Sequence, residues 1–132
     1  MRGVLMDEQQ LKARTKQFAL RCMKLADSLP RNTPSARAIA NQLVRCGTSV
    51  GANYRAACRG RSRSEFVSKL GIVEEEADES TFWMELICDG GMKPIRLVDP
   101  LRHEADELTR IMVASIRSAR RSNPKSAIQN PK

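Results

Sequence analysis

The stretch Asn41-Gln42-Leu43-Val44-Arg45-Cys46-Gly47-Thr48-Ser49-Val50-Gly51-Ala52-Asn53-Tyr54 decides the fold. Small and polar residues stand inside a segment whose apolar period is helical. Ile39, Leu43, Cys46, Val50 and Ala57 recur at steps of three, four or seven, and Ala40, Gly47, Gly51 and Cys58 form a strip of small residues beside them. Gly47 and Gly51 each cost a helix roughly 0.8–1 kcal/mol relative to Ala, so close approach of another backbone must offset them. That backbone belongs either to the same fold or to a neighbouring subunit. Gly47-x-Ser49-x-Gly51 also matches the nucleophile-elbow pattern, but that chemistry needs a strand-to-helix bend, a histidine and an acid, and the context here is mid-helix. His103 is the only histidine. A packing ridge is the better reading, and no catalytic residue is assigned.

Working outward, a first helix starts near Asp7 and runs to about Leu29, with Leu11, Thr15, Phe18, Cys22, Leu25 and Leu29 spaced as a heptad-like seam. Pro30 to Pro34 forms a turn. Thr33 caps the second helix with Pro34 at its first position, and the helix continues to about Arg59. Ser62 and Glu65 have the spacing of a capping box for a third helix, which carries Phe66, Leu70, Val73, Ala77, Met84 and Ile87 on one face and ends at Asp89-Gly90-Gly91. A loop of about nine residues leads to Asp99-Pro100 as cap and first turn of a fourth helix, with Leu101, Ala105, Leu108, Met112 and Ile116 inward. Four amphipathic helices with short connections pack as an all-α, antiparallel up-down-up-down four-helix bundle. The predicted domain covers residues 1–117, and 118–132 form a basic, Pro-interrupted tail expected to be disordered.

Composition narrows the function. A chain of 132 residues buries about two-thirds of its unfolded surface without a staple. No apolar run approaches the ~18 residues of a membrane span and the start lacks a signal peptide's apolar core, so a cytoplasmic, membrane-free protein is expected. Cys22, Cys46, Cys58 and Cys88 show no Cys-x-x-Cys spacing and read as free, buried thiols in preference to disulfides or metal ligands. His103-Glu104 with Asp106 and Glu107 has no second histidine, so neither metal nor cofactor is expected.

The net charge of +8 is unevenly spread. From Ser28 to Ser64 there are seven arginines (31, 37, 45, 55, 59, 61, 63) and no acid; from Glu65 to Asp89 eight acids face Lys69 alone, giving −7. Arg37, Arg45, Arg55 and Arg59 share an arc of about 80° opposite the apolar stripe, at 100° per residue. With Arg61 and Arg63, and with Arg117, Arg120, Arg121 and Lys125 from the C-terminal region, they make a footprint suited to a phosphate backbone held without reading sequence. The competing reading is an ordinary solvated surface or pairing of these arginines with the acidic third helix, where Glu76 and Glu79 flank Ile72 and Trp83 and are placed to meet arginines of a neighbouring helix.

The residues Asn41-Gln42-Leu43, Arg45, Gly47 to Arg55, Ser64-Glu65-Phe66-Val67, Lys69-Leu70, Glu75, Ala77, Glu79-Ser80 and Trp83 closely resemble the bacterial four helix bundle protein family, which includes proteins encoded within intervening sequences of 23S ribosomal RNA genes. The likeness is strong over the second and third helices and extends by pattern to roughly residues 10–117. It implies a bundle assembling as a homopentamer, with no established enzymatic activity. Related accessory proteins of diversity-generating retroelements form positively charged pentameric barrels that bind nucleic acid and a reverse transcriptase. The chain departs from the family pattern at Ala56, where an acid is common, and at Cys46, where Ser is usual. The resulting expectation is a non-enzymatic oligomer that holds RNA or DNA, with Gly47, Ser49, Gly51, Asn53, Tyr54, Glu76, Glu79 and Trp83 in helix-packing or subunit contacts. The alternative is a protein–protein adaptor whose charge asymmetry serves self-assembly alone.

Overall fold

The computed structural model describes residues 6–121. Four helices follow one another: α1 (Glu8–Asp27), α2 (Pro34–Cys58), α3 (Arg63–Asp89) and α4 (Ile95–Arg121). Each sequential neighbour packs against the next, and α4 closes back on α1 through a much lighter contact. The result is a four-helix bundle with one loose seam.

Three helix starts are fixed by local side-chain oxygens, which satisfy amide hydrogens that the first turn leaves without partners. Asp7 accepts from the Gln10 amide at 2.8 Å while Gln10 Oε1 accepts from the Asp7 amide at 3.0 Å, a complete capping box. Thr33 accepts from the Ala36 amide at 3.2 Å, with Pro34 in the first turn. At α3 the Ser62 hydroxyl accepts from the Glu65 amide at 3.0 Å, but Glu65 reaches past Ser62 to the Arg61 amide at 2.6 Å. The predicted box is therefore displaced by one residue.

The fourth helix differs from expectation. It begins at Ile95, so Asp99-Pro100 is not its start and Pro100 lies inside it. The first turn is closed by Leu97 N–H donating to Pro94 O at 3.0 Å, and Val98 is wholly buried. Burial of Val98 and Leu101 outweighs the one ladder bond that proline forfeits so near the helix end. At the other end α4 continues to Arg121 with Ala119 8% exposed, so the boundary expected at 118 falls within the helix. Lys125 and the rest of the expected tail, residues 122–132, lie outside the described residues.

The core contains Phe18, Leu43, Leu70, Met84, Ile87, Leu108 and Met112, all fully buried. Of the apolar residues expected inside, Leu25, Ile39, Phe66 and Ile116 are only partly buried, while Ala26, Tyr54, Ser80 and Val98 complete the interior. Every buried side-chain nitrogen and oxygen among the described residues has a hydrogen-bond partner.

Candidate nucleic-acid interface

The glycine ridge is an intramolecular contact. A Cβ on Gly47 would lie 2.6 Å from both Cβ and Sγ of Cys22, and one on Gly51 would lie 3.3 Å from the Thr15 carbonyl oxygen. Gly47 thus lets α2 approach α1 more closely than a Cβ allows, and at Gly51 a Cβ would be a tight contact with the α1 backbone. Tyr54 continues the contact; burial, then its hydrogen bond with Cys58, pushes its hydroxyl well above the ordinary value. Ser49 sits in mid-helix, where its hydroxyl accepts from Asn53 Nδ2 at 2.8 Å. His103 projects from α4 with a 69% exposed side chain and has Asp99 at 3.7 Å.

On the α2–α3 side, Arg45 is already engaged. Its guanidinium pairs with Glu79 and, at 3.3 Å, with Glu76, and the Trp83 indole donates to Glu79 at 3.1 Å. The expected meeting of Glu76 and Glu79 with a neighbouring arginine therefore occurs inside the subunit. Arg45 drops out of the free cationic surface.

The remaining arginines divide by position along the bundle. Arg37 lies at the start of α2 and donates to the Arg31 carbonyl at 3.0 Å. Arg55 and Arg59 occupy the end of α2, Arg61 and Arg63 the beginning of α3, and Arg117, Arg120 and Arg121 the end of α4. Antiparallel packing brings these termini to one end. Arg63 donates to the Ala119 carbonyl at 2.5 Å, tying the start of α3 to the end of α4, and Glu8 and Asp7 of the α1 start lie close enough to Tyr54 to act on it.

All seven of these arginines are exposed. Arg55, Arg59, Arg61, Arg117, Arg120 and Arg121 form no ion pair among the described residues. Glu8 is paired with Lys12 at 3.0 Å, and among the described residues at this end seven arginines stand beside Asp7 and Glu65, a formal balance of +5. A cation in each last turn of α2 and α4 would satisfy their helix dipoles, worth about 0.3–1 kcal/mol apiece. Seven exceed that need. An end of four helices is roughly 20 Å across and would face about a dozen charges of a duplex carrying one per ~1.7 Å.

The exposed aromatics of this chain are elsewhere. Phe82, 50% exposed and edge-on to Trp83, belongs to the far half of α3. The cationic end thus offers charge without a stacking platform. Sequence periodicity picked out Arg37 and Arg45 because they share a helix face with Arg55 and Arg59; in the structure Arg37 lies at the opposite end of α2 and Arg45 at mid-helix, while Arg55, Arg59, Arg61, Arg63, Arg117, Arg120 and Arg121 share one end. No cluster of metal-ligating side chains exists among the described residues, and no described helix is long and apolar enough to cross a membrane. The four cysteines are free thiols, with Cys22 and Cys46 buried.

Comparison with known proteins returns one family. The profile described as 23S rRNA-intervening sequence protein matches residues 7–114. A solved structure from Bacteroides thetaiotaomicron, described as a protein of unknown function from the S23 ribosomal protein family, is 28% identical with a TM-score of 0.77, over 85% of this chain and 99% of that one. Among curated proteins, none matches.

Proposed function

Because the chain belongs to the 23S rRNA-intervening sequence protein family, we propose that it is a non-enzymatic bundle that holds RNA or DNA by its phosphate backbone, working as a homo-oligomer. One observation carries this reading: three helix termini, from two separate stretches of the sequence (55–63 and 117–121), deliver seven exposed arginines to the same end of the molecule. Phosphate contacts supply affinity and position without sequence information. The protein is then a scaffold or accessory to a larger machine, and a reverse transcriptase is the kind of partner that the retroelement relatives suggest. Homopentameric assembly is likewise proposed on family grounds, in a cytoplasmic setting.

Fluorescence anisotropy with labelled 20-base-pair RNA and DNA duplexes tests the reading. At 50 mM salt, Arg55→Glu/Arg59→Glu/Arg61→Glu is expected to lose at least tenfold in affinity, while Arg45→Ala stays within twofold of the parent. Absence of binding by the parent at low salt, or equal loss from Arg45→Ala, rejects the assignment.

A further inference from the structure

The outer face of α3 carries a second organised charge pattern. Glu75, Asp78, Phe82, Glu85 and Asp89 are all exposed and fall within an arc of about 80° at 100° per residue, opposite the buried stripe of the helix. None of the four acids forms an ion pair among the described residues. A single exposed phenylalanine is ordinary. Here it stands at the centre of an acidic ridge whose 14-residue rise is about 21 Å.

The same chain carries a matching depression. Where α4 closes only lightly on α1, a groove of about 260 Å³ opens between the two helices, lined by Leu25, Leu97, Pro100 and Leu101 and rimmed by Arg21, Lys24 and Lys93. Leu97 is 54% exposed. None of the three cations forms an ion pair among the described residues; of the acids on α4 at the seam, Glu104 is engaged by Arg14 and Asp99 by Arg102. Farther along the seam the Arg14–Glu104 pair bridges α1 and α4 and lines a second depression.

We infer that the acidic ridge of α3, with Phe82 as its apolar knob, docks into the basic-rimmed α1–α4 groove of a second copy of this chain. Knob and groove are each apolar at the centre and oppositely charged at the edge, the arrangement that fixes register and rejects wrong partners. Within one subunit the ridge faces solvent, on the side of α3 away from the core. The contact joins two different surfaces and is therefore head-to-tail, so it propagates into a ring or a filament. This inference rests on the proposed self-assembly and supplies its contact.

Light scattering on the full chain tests it, with far-UV circular dichroism verifying the fold of each variant. The parent is expected to assemble at micromolar concentration. Lys24→Glu/Lys93→Glu, Asp78→Lys/Glu85→Lys and Phe82→Ala should each fall to the 14.8 kDa of one chain. Joining the two charge reversals in a single chain restores complementarity and should restore the assembly. A parent that assembles while the variants keep its mass overturns this contact and leaves assembly standing. Failure of the combined reversal to recover overturns the charge pairing, and a parent of 14.8 kDa removes both the contact and the assembly.

Discussion

Gly47 shows how one missing side chain sets a helix spacing. With 2.6 Å to Cys22 Cβ and Sγ, an added methyl must push α1 and α2 apart. Gly47→Ala gains up to ~1 kcal/mol of helix propensity and loses more to overpacking, for a net destabilisation of about 1–2 kcal/mol in urea unfolding. Gly71, in α3 with nothing within 4 Å, is the control: Gly71→Ala should stabilise by about 0.5–1 kcal/mol. Equal effects at the two sites would contradict the close approach. The small-residue strip was legible in sequence, but its neighbour was not, because a residue pattern records where bulk is absent and not what fills the space.

Cys22 adds a pH dependence at the same contact. Burial foremost, with the nearby Cys46 adding, pushes its thiol up to about 12 from an ordinary 9.0. The fold favours the protonated thiol, so its contribution is complete below pH 9 and is lost as pH rises from 9 towards 12. Buried Cys46 and partly buried Cys58 shift in the same direction, again chiefly through burial. The urea midpoint is expected to fall across that alkaline window, and Cys22→Ala should fall less steeply with pH than the parent. Parallel pH profiles would place the linkage elsewhere.

At the scale of elements, the starts of α1, α2 and α3 were readable because each is written in a capping oxygen within three residues of the amide it serves. The α4 start is not. Asp99-Pro100 imitates a cap and first turn, whereas the real junction is Pro94-Ile95, with the Pro94 carbonyl closing the turn and Val98 anchoring it in the core. Pro94 was the available local signal; the decisive burial of Val98 depends on where α3 lies. Pro100 then occupies an interior position at some cost in backbone bonding. Pro100→Ala restores an N–H donor facing Arg96 and should raise stability by roughly 1 kcal/mol, less than the ~3 kcal/mol of a mid-helix proline. Thermal unfolding measures it, and a lowered midpoint would mean that the ring packs favourably in the α1–α4 groove.

For the whole molecule, the relevant quantity is the distribution of the +8 charge more than its size. If the +5 end neutralises about five phosphates, a plot of log affinity against log salt concentration has a slope near −4.5, independent of duplex sequence. Titration from 50 to 200 mM salt with two unrelated duplexes of equal length checks both parts. A slope near zero, or a preference above tenfold for one sequence, would exclude backbone neutralisation as the source of binding.

Helix content, the four apolar stripes and the separation of a basic second helix from an acidic third were determined by the sequence alone, since periodicity, caps and charge runs act within a few residues. Only the tertiary structure decided which charges are available. Arg45 is matched by carboxylates 31 and 34 residues further along the chain, and the arginines of 55–63 share an end with those of 117–121 because α4 runs antiparallel to α3 and returns to its start. Such pairings depend on how helices are placed in space, and no local pattern encodes that placement.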